Sequence, residues 1–284
     1  MANITRIVRA LYCEPWLIQP EMHARLCDIA RDHMTGEAHG DGGRALEFAY
    51  GDKMQRASQR EKVNIIQGVA VVEVDGVIGR KFSSFINSSG VVSVDVLAEV
   101  VKETAVREDV KAILLDIDSP GGTVAGTPEA YREISEAAKT KPVVVWTGGM
   151  LASAAYWIAV GADAIFADES ADVGSIGVYL SLLDCSRQFE AQGIDVELFK
   201  TGKYKAMGLP GTSLTDEQRE LLQEGVDEIY AKFTSAVTSN RRVDETAMEG
   251  QTFSGDRAVE VGLIDGIMSF DAALAYAASL QRKT

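Results

Sequence analysis

Three short stretches of this chain carry residue types that could break an acyl bond: "DSPGG" at 118–122, "GGMLASAAYWIA" at 148–159 and "FKTGKYKAMG" at 199–208. In the second, Ser153 stands among glycines and alanines directly after the apolar run "PVVVWT", where a strand is expected to hand over to a helix. A hydroxyl there would face free N–H groups and the positive end of the helix dipole, and its small neighbours would let a substrate backbone approach. Serine is also a preferred helix N-cap, so the position fits a cap as well as a nucleophile. In the first stretch, adjacent glycines at 121 and 122 let the backbone aim its N–H groups at one spot, which can stabilise a developing oxyanion. A plain Pro-Gly turn has the same composition.

A serine hydroxyl is a weak nucleophile and needs a base beside it. The three histidines, His23, His33 and His39, all precede the main domain, which leaves a Ser-His-Asp triad in the core without its histidine. Lysine can serve if burial lowers its pKa toward neutrality. Lys200, Lys203 and Lys205 follow the expected strand "DVELFK". Loop lysines are ordinarily solvated, and in an extended segment Lys203 and Lys205 point the same way, so spacing does not choose between them.

The 284 residues are 46% hydrophobic and 25% charged, enough for a packed globular core. A formal charge of −14 makes duplex nucleic acid and anionic membrane surfaces poor partners. Cys13, Cys27 and Cys185 form an odd set without C-x-x-C spacing, which reads as free thiols in a reducing compartment. The opening "MANITRIVRALYCEPWLIQP" lacks the continuous apolar core of a signal peptide. No window reaches the ~18 apolar residues of a membrane span.

Residues 1–34 are expected to be helical, with Met22, Leu26 and Ile29 on one side. Residues 35–62, rich in Gly and charge, read as a flexible linker, and the main domain is expected over 63–284. Within it, strands at "GVAVVEVDGVI", "VKAILLDIDSP", "PVVVWT", "AIFA", "SIGVYL" and "DVELFK" alternate with helices at "SVDVLAEVVKETAVRE", "TPEAYREISEAAKT", "SAAYWIAVGA" and "CSRQFEAQG". A long helix, "TDEQRELLQEGVDEIYAKFTSAVTSNR", follows, and "SGDRAVEVGLIDGI" closes the domain as a short helix and strand. This alternation predicts an α/β fold with βαβ crossovers and a mainly parallel sheet. Functional groups of such sheets collect beyond the carboxyl ends of the strands, where all three stretches fall.

In chain order, "DSPGG", "GGMLASAAYWIA", "DVGSIGV", "TGKYKAMG" and "GQTFSGDRAVEVGLIDGI" resemble the signal peptide peptidase A family of serine peptidases, including its phage capsid-assembly branch. The resemblance covers about Val63 to Ile267 and implies a ClpP/crotonase-like fold with a Ser-Lys dyad and no metal or cofactor. Carried over by motif, Ser153 is the nucleophile and Lys205, the lysine after the aromatic in "YK", the general base. Ser175 orients that lysine, and the N–H groups of Gly122 and Ala154 line the oxyanion hole. Where members typically have "ASGGYY", this chain has "ASAAYW". Its start resembles the phage and prophage branch. The implied function is a homo-oligomeric endopeptidase that processes scaffold, portal or capsid proteins during procapsid maturation, in the host cytoplasm or inside the procapsid. Alternatives are a cytosolic peptidase of signal or other short peptides, a crotonase-type acyl-CoA enzyme and an inactive assembly factor.

Overall fold

The computed structural model describes residues 11, 14–35, 63–80 and 91–281. The chain enters through β1 (Trp16–Ile18) and α1 (Pro20–Thr35), then β2 (Val63–Ile66), β3 (Val69–Asp75), β4 (Val77–Gly79) and β5 (Val91–Ser93). Two right-sized crossovers follow: α2 (Val94–Ala105) leads to β6 (Ala112–Asp118) and β7 (Gly121–Thr123), and α3 (Thr127–Thr140) leads to β8 (Val143–Thr147) and β9 (Met150–Ala152). Then come α4 (Ala154–Ala159), β10 (Ala164–Ala167), β11 (Asp172–Gly174), α5 (Ser186–Ala191) and α6 (Asp216–Asn240). The chain ends in β12 (Thr252–Ser254), α7 (Gly255–Glu260), β13 (Gly266–Ile267) and α8 (Phe270–Ser279).

The runs "VAVVEVD", "AILLDID" and "VVVWT" are almost continuously apolar and rich in β-branched residues, the pattern of strands covered on both faces. They form the middle of a six-stranded sheet in the order β13-β10-β8-β6-β3-β2. Every neighbouring pair is parallel except β2–β3. Alternation divides the strands between two cores. Ala70, Val72, Val74, Ile113 and Leu115 join a large cluster that includes residues of α2, α3 and α4. Val69, Val71, Leu114 and Val144 face Ala273, Leu274 and Ala277 of α8. The result is the mixed, mainly parallel α/β architecture that the alternation of strands and helices predicts.

Two small sheets stand at the carboxyl ends of the central strands. One has the order β1-β7-β4-β5 and the other β12-β11-β9. They hold two of the three candidate stretches, 118–122 and 148–159; the third, 199–208, follows no strand and lies outside both sheets. Beyond β6 and β8 the chain gives up regular pairing for one or two residues and re-enters a sheet as β7 or β9, which brings the two glycine-bearing loops together.

Four elements differ from the sequence expectation. Residues 16–18 form a strand rather than part of a helix, because Pro15 and Pro20 bracket "WLI" and α1 starts at Pro20, a residue suited to the first helical position. "SIGVYL" was expected as a strand, yet the paired segment is Asp172–Gly174, and beyond it only Tyr179 makes an isolated bridge. "DVELFK" is irregular and mostly exposed, because its pattern finds no partner edge. The helix α8, capped by Ser269 through Ala272 N–H, was not anticipated. In α1, Met22 and Leu26 do pack on a cluster of Leu11, Trp16, Ile18 and Val77. The side chain of Ile29, and the linker expected over 35–62 apart from Thr35, lie outside the described residues.

Candidate active site

Ser153 is the single residue between strand β9 and helix α4, at φ 56 and ψ −114. A serine has little reason to adopt left-handed φ unless its surroundings impose it, and such outliers gather at functional sites. Its side chain makes no capping hydrogen bond to the helix it opens. The cap reading, which residue type at a helix start favours, therefore loses its physical basis, and the geometry is that of a sharp strand-to-helix turn presenting a hydroxyl.

Both sides of the turn are pinned. Before it, Ser119 N–H donates to Met150 O at 2.7 Å and Ala152 N–H to Ser119 O at 3.1 Å, which ties β9 to the loop after β6. At the turn, Ser153 N–H donates to Gly174 O at 2.8 Å. After it, every residue of α4 is buried. Tyr156 OH donates to Leu263 O at 2.8 Å, its burial pushing the phenol far above its ordinary pKa. Trp157 stacks on Phe233 of α6 with centroids 4.8 Å apart.

The glycines are where backbones crowd. A side chain begun at Gly121 (φ +102) would start 2.2 Å from Leu17 O and 2.9 Å from Ser153 Cβ. One begun at Gly122 would start 1.7 Å from Ile78 O. Gly121 N–H donates to Ser119 Oγ at 3.2 Å. Gly122 sits inside β7, opposite Leu17 of β1 on one edge and Ile78 of β4 on the other. Ala154 opens α4, so its N–H belongs to the donors of the first turn, which have no intrahelical acceptor. Ser175 follows Gly174 at φ 53, is 6% exposed, and donates its N–H to Gln251 O at 2.7 Å.

The structure thus gathers Ser153, Ala154, Gly122 and Ser175 about one buried turn, with Ser153 1% exposed. It does not bring Lys205 there. Lys205 lies in an exposed turn after "DVELFK", its N–H on Gly202 O, and its Nζ makes no hydrogen bond or ion pair with another described residue. Lys203, the spacing-equivalent candidate, pairs with Glu217 Oε2 at 2.5 Å, and that carboxylate raises its pKa. Lys200 Nζ donates to Lys203 O. A lysine held in its charged form is a poor base, so the geometry disfavours Lys203 where spacing left it open.

Residues that sequence reasoning missed are Ser119, fully buried beneath the glycine pair, and β1, whose Leu17 is fully buried beside it. Trp16 and Leu17 were flagged by nothing more than apolarity between two prolines. His23 also has a place: Nε2–H donates to Leu11 O at 2.8 Å, which leaves Nδ1 to accept from Tyr179 OH at 2.8 Å. Burial lowers its pKa. Among the described residues, no group of three or more His, Cys, Asp or Glu is placed to hold a metal, and no helix is long and apolar enough to cross a membrane.

Comparison with known proteins gives this constellation a family. A putative protease of Synechocystis is 33% identical over 208 residues, covering 71% of this chain and 75% of its own. The capsid assembly protease C of Escherichia phage lambda is 27% identical, covering 95% of this chain and 64% of its own. The head-tail preconnector protein GP5 of Enterobacteria phage P21 is 26% identical, covering 98% and 58%. The chain therefore spans under two thirds of the length of either phage relative. A solved enoyl-CoA hydratase/isomerase family structure from Silicibacter pomeroyi overlays at TM-score 0.45 with 12% identity, covering 77% of this chain and 80% of that one. The model of Peptidase family S49 matches residues 135–283, a span that holds Ser153, Ser175 and Lys205. The chain belongs to peptidase family S49.

Proposed function

We propose that this protein is a serine endopeptidase with a Ser-Lys dyad, Ser153 as nucleophile and Lys205 as general base. The observation that carries it is the backbone of Ser153, a left-handed turn between β9 and α4 whose side chain caps nothing. In the proposed reaction the neutral Lys205 amine takes the proton as Ser153 Oγ attacks the scissile carbonyl. The N–H groups of Gly122 and Ala154 stabilise the oxyanion. The lysine then protonates the leaving amine, and water releases the acyl group from Ser153. Ser175 holds the lysine in line.

Lys205 must travel or be supplied for this to work, and its surroundings favour the second. Phe199 is 91% exposed, and Ile194, Leu198, Tyr204 and Leu209 are exposed near it in the chain, an apolar surface unusual for a monomer. We read this as the contact surface of a homo-oligomer, in which the lysine segment is buried.

The substrates proposed are scaffold, portal or capsid proteins processed during procapsid maturation, in the host cytoplasm or within the procapsid. The two phage relatives support this by aligning along 98% and 95% of the chain. A putative signal peptide peptidase of Enterococcus faecium is 34% identical but covers 57% of this chain. Labelling with a serine-directed fluorophosphonate tests the chemistry. Ser153 should be modified and Ser153→Ala should not; an unlabelled wild type that still digests protein would defeat the assignment.

A further inference from the structure

A peptidase takes its substrate as an extended strand, held by main-chain bonds to strand edges beside the nucleophile. Two segments flank Ser153 in this way: β7, which begins at the glycine pair, and residues 178–180, which follow Ser175. The space between them is filled. Trp16 N–H donates to Tyr179 O at 2.9 Å and Tyr179 N–H to Trp16 O at 3.2 Å, so Trp16 spends both main-chain groups on that side. Alternation turns Leu17 the other way, toward Gly122, its register partner in β7. The next bond on that side, Gln19 N–H to Pro120 O at 3.0 Å, keeps the same phase.

The consequence concerns one atom. In an antiparallel pair of this phase the Gly122 N–H donates to the Leu17 carbonyl. That N–H is the one proposed above for the oxyanion hole, and the Leu17 oxygen lies with Ser153 Cβ about the same crowded point at Gly121. Leu17 thus presents its carbonyl as a scissile residue would. Its side chain is fully buried in the main core cluster, and Trp16 and Ile18 are almost as buried.

We propose that Trp16–Ile18 is the resident peptide of the substrate slot, and that the enzyme is held closed by its own N-terminal segment until that segment is displaced. The slot holds one strand, so substrate and β1 exclude each other. What replaces β1 is an extended peptide with an aliphatic residue at the place of Leu17. The clamp on the outer side is His23, whose ring lies 5.0 Å from that of Trp16 and whose Nδ1 accepts from Tyr179. The proposal rests on Ser153 being the nucleophile.

The test uses the full chain with Cys13, Cys27 and Cys185 changed to serine, carrying Trp16→Cys and Tyr179→Cys. A hydrogen-bonded antiparallel pair has its Cα atoms about 5.5 Å apart, within disulfide range. The readout is the rate at which a fluorophosphonate labels Ser153, alongside hydrolysis of a fluorogenic peptide with leucine before the cleaved bond. Reduced protein should label roughly tenfold or more faster than oxidised protein, as expected when a closed state dominates. Reductant should restore the rate. Equal rates in the two redox states, with both forms melting cooperatively, would overturn the proposal and leave Ser153 standing. If the double-cysteine protein does not fold, His23→Ala carries the test, with faster labelling than wild type expected and an unchanged rate overturning it. No labelling in any form, reduced or His23→Ala included, would defeat the Ser153 assignment and the proposal with it.

Discussion

Ser153 N–H donates to the carbonyl of Gly174 at 2.8 Å, and this bond joins the turn that presents the serine to the strand that leads into Ser175. Residues 21 apart in sequence are thereby fixed in one frame. Gly174 can supply the carbonyl because it adopts φ +126, which a side chain would oppose.

The strain at Ser153 separates stability from activity. Glycine adopts this φ and ψ freely, whereas serine there costs of order 1–3 kcal/mol. Ser153→Gly should therefore abolish proteolysis while raising the melting temperature by about 2–4 °C. Ser153→Ala should be equally inactive and melt within about 2 °C of wild type. Calorimetry decides it: a Ser153→Gly protein less stable than wild type would show that the turn is unstrained.

Lys203 and Lys205 should part company. Lys203 is tied to Glu217 on an exposed surface, where solvent screens such a pair. Lys203→Met should stay within a few-fold of wild-type turnover, while Lys205→Met falls by about 10²–10⁴. Equal damage from both substitutions would remove the dyad.

Gly122 leaves no room for adjustment. The atom its Cβ would strike, at 1.7 Å, is the Ile78 carbonyl oxygen, which is backbone and cannot rotate away. Gly122→Ala should cost about 3 kcal/mol or more, at the severe end of overpacking, and expose β1 to proteolysis along with loss of activity. A variant with wild-type melting and a protected N-terminal segment would show that β4 and β7 are not packed this closely.

The docking of β1 should weaken in acid. His23 has its pKa lowered by burial below the free value of 6.5, so the docked state favours the neutral ring. The stability this contributes is present above pH 6.5 and is lost as pH falls from 6.5 toward the docked value, where it levels off. Hydrogen exchange of Trp16 and Ile18 amides should accelerate over that interval in wild type, beyond the intrinsic pH dependence of exchange. In His23→Gln the extra acceleration should vanish.

The sequence by itself determined the repeating strand-and-helix order of the main domain, since runs such as "VAVVEVD" and "VVVWT" are long enough for their burial to be read locally. It also marked Ser153 and the glycine pair at 121–122 as candidates from residue type and position, while Ala154 and Ser175 came only with the family motifs that the chain resembles. Only the tertiary structure decided that Ser153 is a strained elbow and not a cap, because φ and ψ there are imposed by β9, β11 and α4 together. It decided that "DVELFK" is no strand, since alternation is a local property and a partner edge is not. Tertiary structure also separated Lys203 from Lys205, through a carboxylate on α6 that lies 14 residues beyond Lys203. And it placed Leu17 against Gly122: three apolar residues carry no period of their own, so their strand exists only because two distant edges leave a gap of one strand's width beside Ser153.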